Sequence, residues 1–177
     1  MRFSPLVRRM SAASTWLDEA VSLRYLAPST SFAPVSETFP AGTPTIARLL
    51  RERGYATCAV GKWGLGVEGT VTVPTRQGFD FFFGCLDQYH AHNAWPEYLI
   101  KNEGRVTLRN KVPKEGKPYE KLGAGMASEK VDYAPDLMLA EALQWIEANQ
   151  AKPFFLYFSP IIPHANNELQ LATKAGQ

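Results

Sequence analysis

The chain has 177 residues, of which 45% are hydrophobic and 20% are charged, a composition typical of a folded globular protein and not of a disordered or fibrous one. Its 19 Lys and Arg residues against 17 Asp and Glu residues give a net charge of +2, and the scattered basic residues argue against nucleic acid as the main partner. No run of about 18 apolar residues occurs, so no membrane span is expected.

The first 42 residues differ in character from the rest of the chain. Ser, Ala, Pro and Arg are mixed there without a sustained helical or alternating period, so residues 1–42 are predicted to be poorly structured and are left unassigned. Polar and acidic residues interrupt the apolar stretch that a signal peptide needs, so no export signal is expected. The character of the sequence changes abruptly near Thr43. This change motivates the hypothesis that the preceding residues are translated in a shifted reading frame or from an internal start.

A helix, a buried strand and a glycine-rich loop are predicted in succession from residue 43. Thr43 and Pro44 suit a helix N-cap and first turn, apolar residues then recur at helical spacing, and Gly54 ends the pattern. Residues 55–60 (YATCAV) predict a buried strand, and residues 61–66 (GKWGLG) predict a loop at its carboxyl end.

The order of helix, strand and loop recurs toward the end of the chain. Residues 133–149 carry apolar residues largely at helical spacing, and residues 154–158 (FFLYF) predict an aromatic strand that leads to His164. Between these units, residues 78–84 (GFDFFFG) indicate an apolar strand or packed turn, and residues 101–126 a surface excursion rich in Lys, Gly and Pro.

This alternation predicts an α/β fold from residue 43 onward. Ligands of such sheets bind beside the carboxyl ends of the strands. Lys62 and His164 each follow a predicted strand. We therefore expect both residues at the same edge of the sheet.

Lys62 and His164 are the candidate catalytic residues. The ammonium of Lys62, between glycines and a tryptophan, could hold a tetrahedral oxyanion, although a lysine that merely extends from a strand end is an equal alternative. His164 could donate to the same oxyanion or protonate a leaving oxygen. A lone histidine after a strand is more often structural, and that alternative stays open.

Two histidines and two cysteines are further candidates for a functional role. His90 and His92, at i and i+2, are expected to point to the same side of an extended segment. Two histidines make an incomplete metal site, so a polar loop or substrate contact is favoured over metal ligation. Cys58 and Cys85 lie in apolar surroundings and are expected to be buried free thiols, although pairing between them stays open.

Four ordered segments resemble parts of the sulfatase family. Residues 54–66 closely resemble the second signature of that family, and residues 78–84, 88–93 and 153–164 follow in the order found in bacterial arylsulfatase-like enzymes. The resemblance implies a partial alkaline-phosphatase-like or sulfatase-like α/β sandwich in which helices flank a mixed, mostly parallel sheet, with residues 43–177 as part of the catalytic domain.

The resemblance also implies a chemistry, the hydrolysis of sulfate esters by a formylglycine nucleophile with a calcium ion. By position, Lys62 matches the family lysine that contacts the sulfate group. His164 matches the histidine that contacts sulfate or the leaving-group oxygen. His92 and Asn166 are expected to contact substrate, and the implied partner is a small sulfate ester or a sulfated glycan.

The chain departs from the family pattern at several points. Gly64 stands where the family often has a histidine, and His92 is a candidate substitute. The formylglycine motif Cys/Ser-x-Pro/Ala-x-Arg is absent, as are the family's aspartates and Asp-Asn/His pair that hold calcium. No metal ligand is therefore assigned, and the chain alone is expected to be inactive because the covalent step has no nucleophile.

Two other functions stay open. One is a noncatalytic module that binds anions or sulfated glycans. The other is hydrolysis of phosphate esters, which related folds carry out. Localisation is not assigned, since the family is commonly periplasmic or secreted whereas this sequence shows no export signal.

Overall fold

The computed structural model describes residues 43–116, 120 and 123–166. The predictions for residues 1–42 lie outside the described residues. In chain order the helices and strands are α1 (Ile46–Glu52), β1 (Ala56–Lys62), β2 (Phe81–Cys85), β3 (Tyr98–Lys101), β4 (Gly104–Thr107), α2 (Ala134–Asn149) and β5 (Phe154–Ser159).

The strands form one sheet in the order β4-β3-β2-β1-β5. Strand β1 is parallel to both β2 and β5, whereas β2, β3 and β4 pair in antiparallel fashion. The predicted mixed α/β sheet is thus confirmed. Because β1 lies between two parallel neighbours, the loops that follow β2, β1 and β5 all emerge at the same edge of the sheet.

Helix α1 begins two residues later than its sequence pattern predicts. The side chain of Thr45 accepts a hydrogen bond from the backbone N–H of Arg48 at 3.2 Å, which makes Thr45 and not Thr43 the N-cap. Gly54 follows the helix with a φ of +82°, the left-handed conformation that commonly ends helices. The predicted glycine stop is therefore confirmed.

Strand β1 is buried from Ala56 to Gly61, as its small and β-branched residues predict for a strand covered on both faces. A Cβ atom on Gly61, whose φ is +114°, would lie 1.9 Å from the carbonyl oxygen of Ser159. A Cβ atom on Gly84 would lie 2.0 Å from the carbonyl oxygen of Gly61. Glycine at these two positions lets the three parallel strands approach closely where they end.

Two apolar clusters lie on the two faces of the sheet. Helix α2 covers one face through Ala134, Met138 and Ala142, which recur every four residues and are buried. On the other face Phe79 and Phe82 pack with Ala47 of α1. Each face of β1 is therefore covered, which excludes water from the centre of the sheet.

The aromatic residues of the two predicted strands differ in burial. Phe82 and Phe83 on β2 belong to the core. On β5, however, Phe154 and Phe155 are only half-buried, and Tyr157 and Phe158 are 44% and 41% exposed. Within the described residues β5 lies at the edge of the sheet and pairs with β1 alone, so one side of it lacks a neighbour.

The predicted surface excursion at residues 101–126 is partly wrong. Residues up to 107 belong to a β-hairpin of β3 and β4, with Asn102 in its turn at a φ of 57°. Asn102 accepts a hydrogen bond from the N–H of Phe82 at 3.0 Å, which ties the turn to β2. In the part of the chain that is described, no helix is long and apolar enough to cross a membrane.

Candidate active site

Lys62 is the last residue of β1, and its backbone is held from both sides. Ser159 Oγ, at the end of β5, donates a hydrogen bond to the carbonyl oxygen of Lys62 at 2.6 Å. On the other side, the N–H of Trp63 donates to the carbonyl oxygen of Cys85 at 2.9 Å. The half-buried side chain of Lys62 therefore leaves the carboxyl edge of the sheet from a rigid base.

The loop after Lys62 is tied down in the same way. The N–H of Gly64 donates to the carbonyl oxygen of Leu86 at 2.8 Å. The indole Nε1 of Trp63 donates to the carbonyl oxygen of Thr72 at 2.8 Å, and its ring contacts Phe79 edge to face. Gly64 offers no side chain to a ligand, so any imidazole at this edge has to come from another loop.

His164 follows β5 on a loop anchored by the buried Ile161, whose carbonyl oxygen accepts from the N–H of His164 at 3.3 Å. Nδ1 of His164 lies 2.6 Å from the carbonyl oxygen of Ala165. Because a carbonyl can only accept, Nδ1 is the nitrogen that carries a hydrogen. The exposed ring thus keeps Nε2 for a ligand.

His92 supplies the second imidazole. Its ring stacks on that of His164, with centroids 4.9 Å apart and 7° between the planes. Tyr89 also approaches the His92 ring edge to face, with the ring centroids 5.6 Å apart. The loops after β2 and β5 thus meet over the end of β1, the strand that carries Lys62.

The expectation that His90 and His92 point to the same side of an extended segment is wrong. His90–His92 form a turn of 3-10 helix, in which residues two apart no longer face the same way. His90 is buried against Tyr98, whose carbonyl oxygen lies 2.9 Å from its Nε2. Burial lowers the pKa of His90 to about 4, so at neutral pH it is an uncharged structural residue.

Asn166 lies on the same loop as His164. Its side-chain Nδ2 donates to the carbonyl oxygen of Gly125 at 3.2 Å. This contact ties the end of the His164 loop to the segment around Gly125. The substrate contact assigned to Asn166 stays a prediction, as do the roles of Lys62, His164 and His92.

Neither cysteine supplies a nucleophile to this site. Both are free and buried, and the register pairs Cys58 with Phe81 and Cys85 with Lys62. With a rise of about 3.3 Å per residue, they lie roughly 13 Å apart along the strands, too far for a disulfide. Burial raises the pKa of the Cys58 thiol to about 12 and that of Cys85 further, so neither is a thiolate nucleophile.

A calcium site is not formed by the described residues. Among residues 43–116, 120 and 123–166, no group of three or more His, Cys, Asp or Glu side chains could hold a metal ion. Calcium requires about six to eight oxygen ligands. The residues present therefore do not fit the ion that the family resemblance implies, and no chemical step of this chain runs through it.

Sequence reasoning missed two residues that shape the site. Ser159 locks the carbonyl of Lys62, and Tyr89 contacts the ring of His92. The position of Ser159 directly after an aromatic strand was a usable signal, since polar residues at such strand ends face the ligand edge. No sequence pattern pointed to Tyr89, because its contact depends on the local 3-10 turn.

Fold and site together define a class of protein. It is an α/β domain that presents an ammonium group and two imidazoles at the carboxyl edge of parallel strands, which is the chemistry that binds a tetrahedral oxyanion. The family model described as Sulfatase matches residues 14–177. The chain belongs to the sulfatase family, and the matched region extends N-terminally past Thr43, where the resemblance begins.

Curated relatives agree with that assignment. An arylsulfatase of Hemicentrotus pulcherrimus is 34% identical over 134 residues, which cover 71% of this chain and 23% of the relative. Arylsulfatase G of Mus musculus is 38% identical over 158 residues, which cover 80% and 28%. N-acetylgalactosamine-6-sulfatase of Canis lupus familiaris is 30% identical over 122 residues, which cover 66% and 22%. The chain thus spans about a quarter of the length of these relatives.

Solved structures support the fold. Ps i-CgsB in complex with k-i-k-neocarrahexaose matches 73% of this chain and 28% of its own, with a TM-score of 0.54 and 24% identity. A structure described under glycosaminoglycan metabolism by Bacteroides thetaiotaomicron matches 84% and 41%, with a TM-score of 0.56 and 22% identity. The predicted alkaline-phosphatase-like α/β fold is confirmed.

Proposed function

We propose that this chain forms the sulfate-binding part of a sulfate ester hydrolase, with Lys62 and His164 as the groups that contact the ester. The observation that carries the proposal is the meeting of three loops at one edge. Lys62 ends the strand that lies between the two strands whose loops bring His92 and His164 into contact. Membership of the sulfatase family supports the choice of sulfate.

Each residue has a distinct task in this proposal. The ammonium of Lys62 offsets the negative charge on the sulfate oxygens and on the ester oxygen, where charge grows as the bond to sulfur breaks. In its imidazolium form, with Nδ1–H held by the carbonyl oxygen of Ala165, His164 gives the proton on Nε2 to the departing ester oxygen and is left as the neutral ring. His92 stacks against His164 and keeps its ring in that orientation.

The attack on sulfur is not assigned to this chain. A formylglycine would supply the covalent nucleophile in the family, but the sequence has no Cys/Ser-x-Pro/Ala-x-Arg motif. Both cysteine thiols are buried, and burial raises the pKa of each, so they stay protonated at neutral pH. We therefore propose that the chain by itself binds sulfate and its esters without hydrolysing them.

The missing nucleophile motif also favours a second candidate, a noncatalytic module that binds sulfated glycans. The two candidates share the Lys62 site and differ in whether the bound ester is cleaved in the whole protein. Cleavage of an aryl sulfate after addition of the preceding part of a related sulfatase chain would support the enzyme. Tight glycan binding with no such complementation would support the binding module.

Isothermal titration of the 177-residue chain with inorganic sulfate tests the shared site. Lys62→Ala is expected to weaken binding roughly tenfold to hundredfold, because a hydrogen bond to a charged group contributes about 1.5–3 kcal/mol. Lys152→Ala is the matched control, since Lys152 is exposed and precedes β5 at the opposite end of the strand. If both variants lose the same affinity for sulfate, the effect is due to net charge alone, and the proposal is overturned.

A further inference from the structure

Residues 123–126 (GAGM) pack closely against the loop that follows β2, and we call them the glycine segment. A Cβ atom on Gly123, whose φ is +86°, would lie 2.8 Å from Cδ2 of His90 and 2.9 Å from Oη of Tyr98. Ala124, the next residue, is fully buried. Because glycine has no Cβ atom, the backbone of the segment can approach the His90 ring this closely.

The glycine segment is also held at its other end. A Cβ atom on Gly125 would lie 2.8 Å from Cγ1 of the buried Val112. Just beyond the segment, the N–H of Ser128 donates to the carbonyl oxygen of Lys111 at 2.9 Å, and the N–H of Lys111 donates to that of Glu129 at 3.1 Å. The glycine segment is therefore a firm base to which a neighbouring loop can be tied.

The loop after β5, residues 160–166, is tied to this base by Asn166. We call it the His164 loop. Nδ2 of Asn166 donates to the carbonyl oxygen of Gly125 at 3.2 Å. At the start of the same loop, the buried Ile161 accepts from the N–H of His164 at 3.3 Å. The loop is thus held on both sides of the exposed imidazole.

These contacts form a closed ring among three segments. The 3-10 turn after β2 contacts the His164 loop through the stacked rings of His92 and His164. The His164 loop contacts the glycine segment through Asn166, and the glycine segment returns to the 3-10 turn at His90. Groups that share one network of contacts are energetically coupled. Loss of one contact in the ring should therefore loosen the others.

We propose that Asn166 is a positioning residue, which orders the imidazole of His164 by tying its loop to the glycine segment. A side chain that is mobile before binding loses conformational freedom when a ligand fixes it, and this loss weakens binding. Asn166 reduces the loss because it restricts the loop in advance. The inference rests on the proposed function only in that the ordered ring is the one that meets sulfate.

Asn166→Leu tests this role, since leucine has a similar volume and no hydrogen-bond donor. In the ligand-free 177-residue chain, the ring proton–carbon signals of His92 and His164 and the amide signal of Gly125 are expected to move. Inorganic sulfate should bind about threefold to tenfold more weakly. Asn149→Leu is the matched control, because Nδ2 of Asn149 also donates to a backbone carbonyl oxygen, at 2.8 Å within α2. It should change neither the signals nor the affinity.

Gly123→Ala tests the ring of contacts from its far side. The new Cβ would press on His90, and the ring signals of His92 and His164 are expected to move although the changed residue belongs to another segment. Gly54→Ala is the control for backbone strain, because Gly54 has a φ of +82° with nothing within 4 Å of the added Cβ. It should leave both rings in place.

The two readouts separate this proposal from the proposed function. If Asn166→Leu weakens sulfate binding while the His164 signals stay in place, Asn166 contacts the anion itself, and the positioning role is overturned. Unmoved His164 signals in both Asn166→Leu and Gly123→Ala overturn it as well. If the signals move in a chain that binds no sulfate, the positioning role is supported and the proposed function is rejected.

Discussion

The imidazole rings of His92 and His164 lie parallel, 4.9 Å apart between centroids, although they belong to loops that follow two different strands. The contact is possible because β2 and β5 flank β1 and run parallel to it. This contact brings two imidazoles to the edge of the sheet. The loop after Lys62 carries Gly64 there and has no imidazole of its own. The pair is therefore the feature on which the site's geometry depends most.

Removal of the His92 ring should release His164. In His92→Ala, the side-chain carbon-bound proton signals of His164 are expected to move, because the ring current of the stacked partner is lost. Inorganic sulfate should also bind about threefold to tenfold more weakly, since an ordered donor becomes mobile. Proton–carbon correlation spectra and titration measure the two effects.

His92→Phe provides the control for that experiment. It keeps an aromatic ring at the position and should preserve most of the ordering of His164. If the alanine variant leaves the His164 signals in place, the two rings do not stack in solution. If phenylalanine and alanine weaken sulfate binding equally while only alanine moves those signals, His92 contacts the anion itself.

Gly61→Ala should destabilise the domain strongly. The new Cβ would lie 1.9 Å from the carbonyl oxygen of Ser159, at a φ of +114°, so both steric overlap and backbone strain oppose it. Overpacking and strain at a special φ each cost about 1–3 kcal/mol. We expect a loss of about 2–5 kcal/mol in the free energy of unfolding, measured with denaturant.

Gly69→Ala is the matched control because Gly69 also has a positive φ, +80°, with nothing within 4 Å of the added Cβ. It isolates the backbone strain, for which about 1 kcal/mol is expected. The difference between the two variants measures the close approach of β1 and β5. Equal losses would mean that these strands separate freely where they end.

His90 should make the stability of the domain depend on acid. Its pKa falls from 6.5 to about 4 on folding because the imidazole is buried. Below pH 6.5 the unfolded chain therefore binds more protons than the folded chain. The contribution of the uncharged His90 to the free energy of unfolding is complete above pH 6.5, and it is lost as the pH falls toward 4. The loss is on the order of 3 kcal/mol.

Chemical unfolding at pH 7 and pH 4.5 measures this loss, and two variants assign it. His90→Phe should flatten the pH dependence, since the ring that must take up a proton is absent. His164→Phe should retain it, because His164 is exposed. A slope that survives in His90→Phe would locate the responsible group elsewhere.

The free edge of β5 should promote self-association of the chain. Tyr157 and Phe158 are 44% and 41% exposed on a strand that pairs on one side only within the described residues, and such edges recruit further strands. Sedimentation velocity should detect oligomers that grow with protein concentration. Phe158→Lys should reduce them, because a charge on an edge strand opposes pairing, whereas Leu65→Lys, at an exposed loop residue, should not.

Local patterns were sufficient for several elements of this protein. The small and β-branched residues of β1 and the glycines that follow predicted a buried central strand with a ligand loop, and Lys62 was placed at its end. The spacing of apolar residues predicted α2, and the aromatic run before Pro160 predicted β5. In each case the signal lies within one short segment, where helix and strand periods differ.

Other elements could not be predicted because they depend on distant partners. The hairpin of β3 and β4 lies partly in the segment predicted as a surface excursion, and its strand β3 extends the sheet by pairing with Phe83 and Gly84 of β2. The 3-10 turn at His90 accompanies burial of that ring against Tyr98, a contact between the loop after β2 and the start of β3. Strand pairing of this kind is decided more by context than by intrinsic preference.

The amino-acid sequence by itself determined the family, the α/β architecture, and the two strand ends that carry Lys62 and His164. Only the tertiary structure decided that β1 lies between β2 and β5 and that His92 stacks on His164 while His90 is buried. The physical reason is that side-chain periodicity is a local property, whereas a site is formed by loops that strand order brings together in space.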